Sequence, residues 1–198
     1  MICLLARGEQ KFWSKTEAGA WTPEQISEFT QSSPWAKQVT AVLSTNGSNM
    51  AADAVRPAGR GGRSGRSGSD VPQPAELPKW QALVRWVSAK PMKEILKLHL
   101  PPDFDGHYVI SVSGLPLGED TTEIASQTTL QLKRGDPVHP ETAYQDPGDT
   151  STIYFAFVPS TLDVSSSKTA VFSMLAQPYE IRAKFSLSEM KYLGQTSF

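Results

Sequence analysis

The sequence predicts an α+β fold: a mainly antiparallel sheet of about six or seven strands, with two short flanking helices and a long disordered insertion. Three observations predict it. Apolar and polar residues alternate in stretch after stretch, two short segments carry helical spacing with clear ends, and residues 46–79 are dominated by Gly, Arg, Ser and Pro. The alternation leaves one face of each strand polar, which favours antiparallel strands with a solvated face over a doubly wound parallel sheet.

The first helix is marked at Trp21-Thr22-Pro23-Glu24-Gln25-Ile26. Thr22 is placed as the N-cap, Pro23 at the first helical position, and Gln25 as the capping-box partner, with Trp21 and Ile26 at the staple positions. Pro34 disfavours helical geometry at Ser33, so the helix is expected over 23–32. The period then changes to two. Residues 38–44 put Val39, Ala41 and Leu43 on one face, and residues 81–87 put Ala82, Val84 and Trp86 on one face, so these two strands are expected to be neighbours.

Between them lies the low-complexity stretch, opened by the turn dipeptide Asn46-Gly47 and holding no Phe, Trp or Tyr. Its apolar content is too low to offset the entropy of ordering it, so it is expected to be disordered. Such an insertion adds about 1–2 kcal/mol to loop closure, because the cost grows only with the logarithm of length. A second short helix is expected over 91–98, with Met92, Ile95, Leu96 and His99 as its stripe and Pro101-Pro102 closing it. Further strands are expected at Tyr108–Val112, Thr128–Lys133, Ile153–Phe157, Val171–Leu175 and Ile181–Leu187, the last with Arg182, Lys184 and Ser186 on its wet face. Gly114-Leu115-Pro116 breaks the third strand, and Gly118-Glu119-Asp120-Thr121-Thr122 reads as a solvated loop.

The 198 residues, 39% of them hydrophobic and 20% charged, fit a globular chain and exclude a collagen-like, coiled-coil or fully disordered one. One domain is expected over 10–198, interrupted at 46–79, with 1–9 as a disordered terminus or the remnant of a signal peptide. A formal net charge of −1 gives no global basic field. The single cysteine, Cys3, excludes an internal disulfide framework. No apolar run is long enough to span a bilayer as a helix, so no integral membrane segment is expected.

Phe12-Trp13-x-Lys15, Ser33-Pro34-Trp35-Ala36-Lys37, Arg85-Trp86-x-Ser88, Tyr108-x-Ile110-x-Val112-x-Gly114-Leu115-Pro116 and Lys184-Phe185-x-Leu187-x-x-Met190-x-Tyr192-x-Gly194 recur as a set of aromatic and small residues. This set resembles an uncharacterised family of exported proteins of soil bacteria, some of which carry the GWxTD domain name. The stretch nearest that name is Gly19-Ala20-Trp21-Thr22-Pro23. The resemblance implies export through a signal peptide, hence a periplasmic or secreted location, and no assigned activity. A native start at Met1 would instead imply the cytoplasm.

Candidate chemistry is sparse. Asp103, Asp105 and His107 would share a face of an extended segment, but Asp105-Gly106 is an ordinary turn pair that accounts for the cluster without a metal. His99 is expected at the C-terminal end of its helix, where an imidazolium would favour the helix dipole, and His139 in a loop. Ser111-Val112-Ser113-Gly114 lacks the Gly-x-Ser-x-Gly elbow of a hydrolase nucleophile, and Gly59-x-Gly61-x-x-Ser64 lacks the third glycine of a nucleotide cradle. Glu119, Asp120 and Glu123 read as loop carboxylates. No catalytic, metal or cofactor residues are therefore assigned.

The leading expectation is a non-enzymatic exported or envelope-associated binding or assembly module, with a protein or envelope component as partner. The alternative is a cytoplasmic protein that binds nucleic acid or another polyanion through the Arg/Gly loop 56–68, where Arg56, Arg60, Arg63 and Arg66 stand with no intervening acid. A hydrolase is the third reading.

Overall fold

Thr22 starts helix α1, Pro23–Ser32, as the sequence predicts: its Oγ1 accepts from the Gln25 amide at 3.3 Å, while Gln25 Oε1 accepts from the Thr22 amide at 3.0 Å. This reciprocal pair satisfies two backbone donors that a helix start otherwise leaves without an intrahelical partner. The computed structural model describes residues 11–43, 80–116, 120–176 and 179–198. The Arg/Gly-rich stretch 46–79, the terminal segment 1–9 and Glu119 lie outside the described residues.

Beyond α1 the order is β1 (Ala36–Leu43), β2 (Trp80–Trp86), α2 (Lys90–Leu96), β3 (Tyr108–Ser113), α3 (Thr121–Ser126), β4 (Thr128–Leu132), β5 (Thr142–Asp146), β6 (Asp149–Phe157), β7 (Thr169–Ala176), β8 (Tyr179–Ser186), β9 (Lys191–Tyr192) and β10 (Gln195–Thr196). The expected α+β architecture is present. An eight-stranded sheet runs β4-β7-β8-β1-β2-β3-β6-β5, antiparallel at every pairing, and β9 and β10 form a separate hairpin. The expected neighbours do pair, Ala36 opposite Arg85 through Ala41 opposite Trp80.

The sheet is curled. Residues 36–41 of β1 pair with β2, whereas on the other side only Val42 and Leu43 pair with β8, so the two halves diverge from the end of β1. Rings from strands that are not paired with each other then meet inside: Phe172 of β7 lies 5.7 Å from Phe155 and 6.4 Å from Phe157 of β6, near the other end of the order, and Phe185 of β8 lies 5.4 Å from Trp86 of β2, across β1. At the free edges, Val138 and Leu130 of β4 exchange backbone hydrogen bonds of 2.9 and 3.0 Å. The chain then passes into β5 on the opposite edge, so one segment touches both ends of the sheet. Aromatic rings also close the end near α1, where Trp13, Trp21, Phe29 and Trp35 pack in series and Tyr192 adds its edge to Trp21.

Three expectations are corrected. The main sheet has eight strands, because β5 supplies a strand with no apolar alternation: all five of its residues are half-buried. Of the loop expected at 118–122, residues 118–119 lie outside the described residues and 120–122 instead start α3, whose cap Asp120 accepts from the amides of Thr122 and Glu123 at 3.0 Å each. With only six residues and Ile124 as its buried apolar side chain, α3 is too short to show a helical period. Helix α2 stops at Leu96 rather than 98, because Lys97 adopts φ 47°, a left-handed cap that turns the chain away. His99 consequently stands beyond the helix and exposed, not on its stripe.

The outer face is not uniformly wet either. On β2, β3 and β6 it is covered: Val87, Phe104, Val109, Tyr154 and Ala156 form a second buried cluster. Arg85 leans under α1, its Nε donating to the Thr30 carbonyl at 2.9 Å. Burial draws the Arg85 guanidinium below its ordinary pKa, with the neighbouring Tyr154 opposing that shift. Gly114 ends β3 at φ 92°, and a Cβ there would stand 2.8 Å from the Gln81 carbonyl oxygen, so both conformation and space demand glycine.

Two outcomes follow from this packing. Phe172→Ala empties the centre of the curl and is expected to lower unfolding free energy by about 3–5 kcal/mol, read from denaturant midpoints, whereas Val171→Ala on the other face of the same strand costs less than about 1 kcal/mol. In the β5–β6 turn, Asp149 accepts from the Ser151 hydroxyl at 2.6 Å and the Thr152 hydroxyl at 2.7 Å, which hold its carboxyl below the usual pKa. Its folded value is depressed, so its stabilising contribution is present above the unfolded pKa and is lost as pH falls through the folded one. A carbon-detected NMR titration should place the Asp149 midpoint below the ordinary aspartate value of about 4, and Ser151→Ala should raise it.

Candidate functional site

Where β4, β7 and β8 lie side by side, their outward residues are Gln131 on β4, Val171 and Ser173 on β7, and Arg182 and Lys184 on β8. Gln131, Val171 and Lys184 fall in one row across the three strands. Lys133 and Arg134 follow directly from β4, and the Lys133 amide donates to the Thr169 carbonyl at 3.2 Å, which ties that basic pair to the start of β7. Lys168 sits just before β7, its carbonyl accepting from the Leu187 amide at 2.9 Å.

Five cations, Lys133, Arg134, Lys168, Arg182 and Lys184, thus converge at one end of one face, and all are exposed. Two hollows meet there. The larger, about 700 Å³ and open, is lined by Gln131, Lys133, Lys168, Val171, Arg182 and Lys184 among others. The smaller, about 280 Å³, is lined by Lys133, Arg134, Ser166, Ser167 and Lys168. They share Lys133 and Lys168, and no acidic side chain lines either one. Among the described residues, none of the five is in an ion pair. The nearest acid along β8 is Glu180, two residues before Arg182 on the same outward face and opposite Leu175 rather than the cations.

The chemistry available is anion binding. Five exposed ammonium and guanidinium groups supply donors without acceptors, and Arg182 and Arg134 add planar forks that match phosphate or sulfate oxygens. No aromatic side chain lines either hollow, so the surface offers charge and hydrogen bonds but no stacking platform.

The residues singled out from sequence stand elsewhere. His107 is spent on the fold: its Nε2 lies 2.8 Å from Glu141 Oε2 and its Nδ1 3.1 Å from the Asp105 carbonyl oxygen, which staples the turn before β3 to the start of β5. Asp105 thus meets His107 through its backbone. Among the described residues, no group of three or more His, Cys, Asp or Glu side chains is placed to hold a metal ion. His139 Nδ1 lies 2.9 Å from the Thr128 carbonyl oxygen, beside the Leu130–Val138 bridge.

Ser111 is buried at 1% exposure, in the row between Arg85 and Tyr154. Ser113 Oγ faces the Leu83 carbonyl at 3.5 Å, and no serine bonds a histidine among the described residues. Asp120 is the cap of α3, and Glu123 lies in its first turn. The arginines of 56–68 lie outside the described residues.

Arg182 and Lys184 stand on the exposed face of β8 that its alternation predicts. The signal that could have united the five cations is the strand order, because Lys133, Lys168 and Lys184 are neighbours only if β4 flanks β7 and β7 flanks β8. No family model, no curated protein and no solved structure matches this chain.

Proposed function

We propose that this chain is a non-enzymatic binding module, exported or associated with the envelope, whose working surface is the basic outer face of β4, β7 and β8 and whose ligand is an anionic polymer. The observation that carries the reading is the set of five exposed cations around two adjoining hollows with no acid in their lining. In a chain of net charge −1, such a cluster keeps like charges together at the expense of repulsion, which a bound polyanion relieves. Without aromatic rings in the lining, recognition rests on spaced negative charge rather than on bases. Location outside the cytoplasm belongs to the proposal through the resemblance, and fractionation of the source cells with amino-terminal sequencing tests it.

One observation favours the second reading, a nucleic-acid-binding protein. The segment with Arg56, Arg60, Arg63 and Arg66 connects β1 to β2, and β1 borders β8, the strand that carries Arg182 and Lys184. A common experiment separates the readings. Binding to polyphosphate, dextran sulfate and duplex DNA is followed against salt, for the full chain, for Arg182→Glu/Lys184→Glu, and for deletion of 56–68.

The proposal expects all three polymers to bind, with a log–log salt slope of roughly −4 to −5 on duplex DNA if all five cations engage phosphates. The double charge reversal should reduce that slope by about two and weaken every polymer alike, while the deletion leaves binding in place. Unchanged binding in the charge-reversed variant overturns the proposal. Loss of DNA binding confined to the deletion moves the activity to 56–68 and installs the second reading.

A further inference from the structure

The two adjoining basic hollows differ in how they space their charge. The larger is an open trough along the strands, in which Lys184 shares a row with Gln131 and Val171 while Arg182 stands two residues away on β8. At about 3.4 Å per residue along a strand, the backbones of Arg182 and Lys184 are roughly 7 Å apart, so the trough presents its cations one at a time. The smaller hollow, about 280 Å³, gathers them. Lys133, Arg134 and Lys168 surround it, and Ser166 and Ser167 complete its lining.

These three cations can reach one group because they spring from a single point of the backbone. The Lys133 amide donates to the Thr169 carbonyl at 3.2 Å, Lys168 directly precedes Thr169, and Arg134 directly follows Lys133. Long side chains rooted within a residue of one hydrogen bond span a hollow of this size, and all three are exposed to an incoming ligand. The acids nearest in sequence, Asp136 and Asp163, are not part of the lining. Asp163 is engaged in its own turn, accepting from the Ser165 hydroxyl at 2.6 Å and the Ser166 amide at 3.3 Å.

A phosphate group inside a polymer carries one negative charge, whereas a phosphomonoester at its end carries about two above a pKa near 6 and offers three terminal oxygens. Three cations around one compact hollow exceed what the first needs and suit the second, and Arg134 brings the planar fork that two of those oxygens can fill. We infer that the smaller hollow recognises the phosphomonoester end of an anionic polymer, while the trough holds the singly charged groups that follow it. Lys133 and Lys168 line both hollows, so the end and the chain behind it lie on one continuous basic surface. This inference rests on the anionic-polymer reading and adds to it which part of the polymer is read.

The test is calorimetric titration of the full chain with a thymidine oligomer phosphorylated at both ends and with a hydroxyl-ended oligomer four nucleotides longer. Each end group adds about two charges and each nucleotide one, so the two probes carry the same total charge. The phosphorylated oligomer should bind about tenfold more tightly at about pH 7.5, and its advantage should shrink at about pH 5, where each end group takes up a proton. Arg134 lines the smaller hollow alone, so Arg134→Gln should cut the advantage below about twofold, whereas Arg182→Glu should weaken both probes and leave the advantage in place. Inorganic phosphate, which has no chain to lie in the trough, should compete only at a concentration about a hundredfold higher. Equal affinity for the two oligomers overturns the inference and leaves the polymer reading standing, while failure of both to bind removes both. An advantage that survives Arg134→Gln, is undiminished at the lower pH, or is matched by inorganic phosphate also overturns it.

Discussion

The contact on which the rest of this molecule depends is that of Phe172 with Phe155 and Phe157, because β7 and β6 stand near opposite ends of the sheet order. A flat sheet would hold them tens of ångströms apart at the strand spacing of about 4.8 Å. Burying these rings against each other requires the sheet to curl, and curling requires its two halves to part somewhere. They part at β1, which gives β2 most of its length and β8 only Val42 and Leu43. Once curled, the sheet's edges approach, and the two hydrogen bonds between Leu130 and Val138 remove part of the unpaired edge that an open sheet would expose.

The curl also sorts the outer surface into two kinds. Over β2, β3 and β6 the outside is roofed by α1 and by the Phe104 turn, which is why Ser111, Val109 and Ala156 are buried although they point away from the main core. Over β4, β7 and β8 the lysines and arginines stay exposed. Arg85 shows the difference in one residue type: under the roof it donates to a backbone carbonyl and feels burial, whereas Arg182 on the bare side is exposed beside Lys184. A side chain whose charge is used in packing is read as structure; one left in solvent with like neighbours is available for a ligand.

Much of this was legible in the sequence, and what escaped has physical causes. The Thr22–Gln25 capping box and the alternation in β2 and β8 are local, and local patterns survive into the fold. The end of α2 was misplaced because apolar spacing continues to His99 while the backbone reverses at Lys97, a conformation that lysine does not advertise. Strand β5 gave no period because both of its faces are half-covered, and α3 is held by one aspartate cap rather than by a stripe. The basic face was hidden more deeply. Its cations come from three segments well separated along the chain, and they become one surface only through the order β4-β7-β8, which no local pattern encodes.

The same reasoning explains why the chain's histidines and aspartates, the residues that sequence reading searches first for chemistry, contribute to the frame instead. His107 meets Glu141 and a backbone carbonyl, and His139 meets the Thr128 carbonyl; both contacts lie along the route by which the chain reaches and forms β5. Asp120 and Asp149 fix a helix start and a hairpin turn. These polar groups are placed where β5 and its flanking turns must be held without an apolar face to hold them. Closure of the curl is therefore a polar task at its edge and an aromatic one at its centre, and the lysine and arginine side chains on the outer face of β4, β7 and β8 are left free of either.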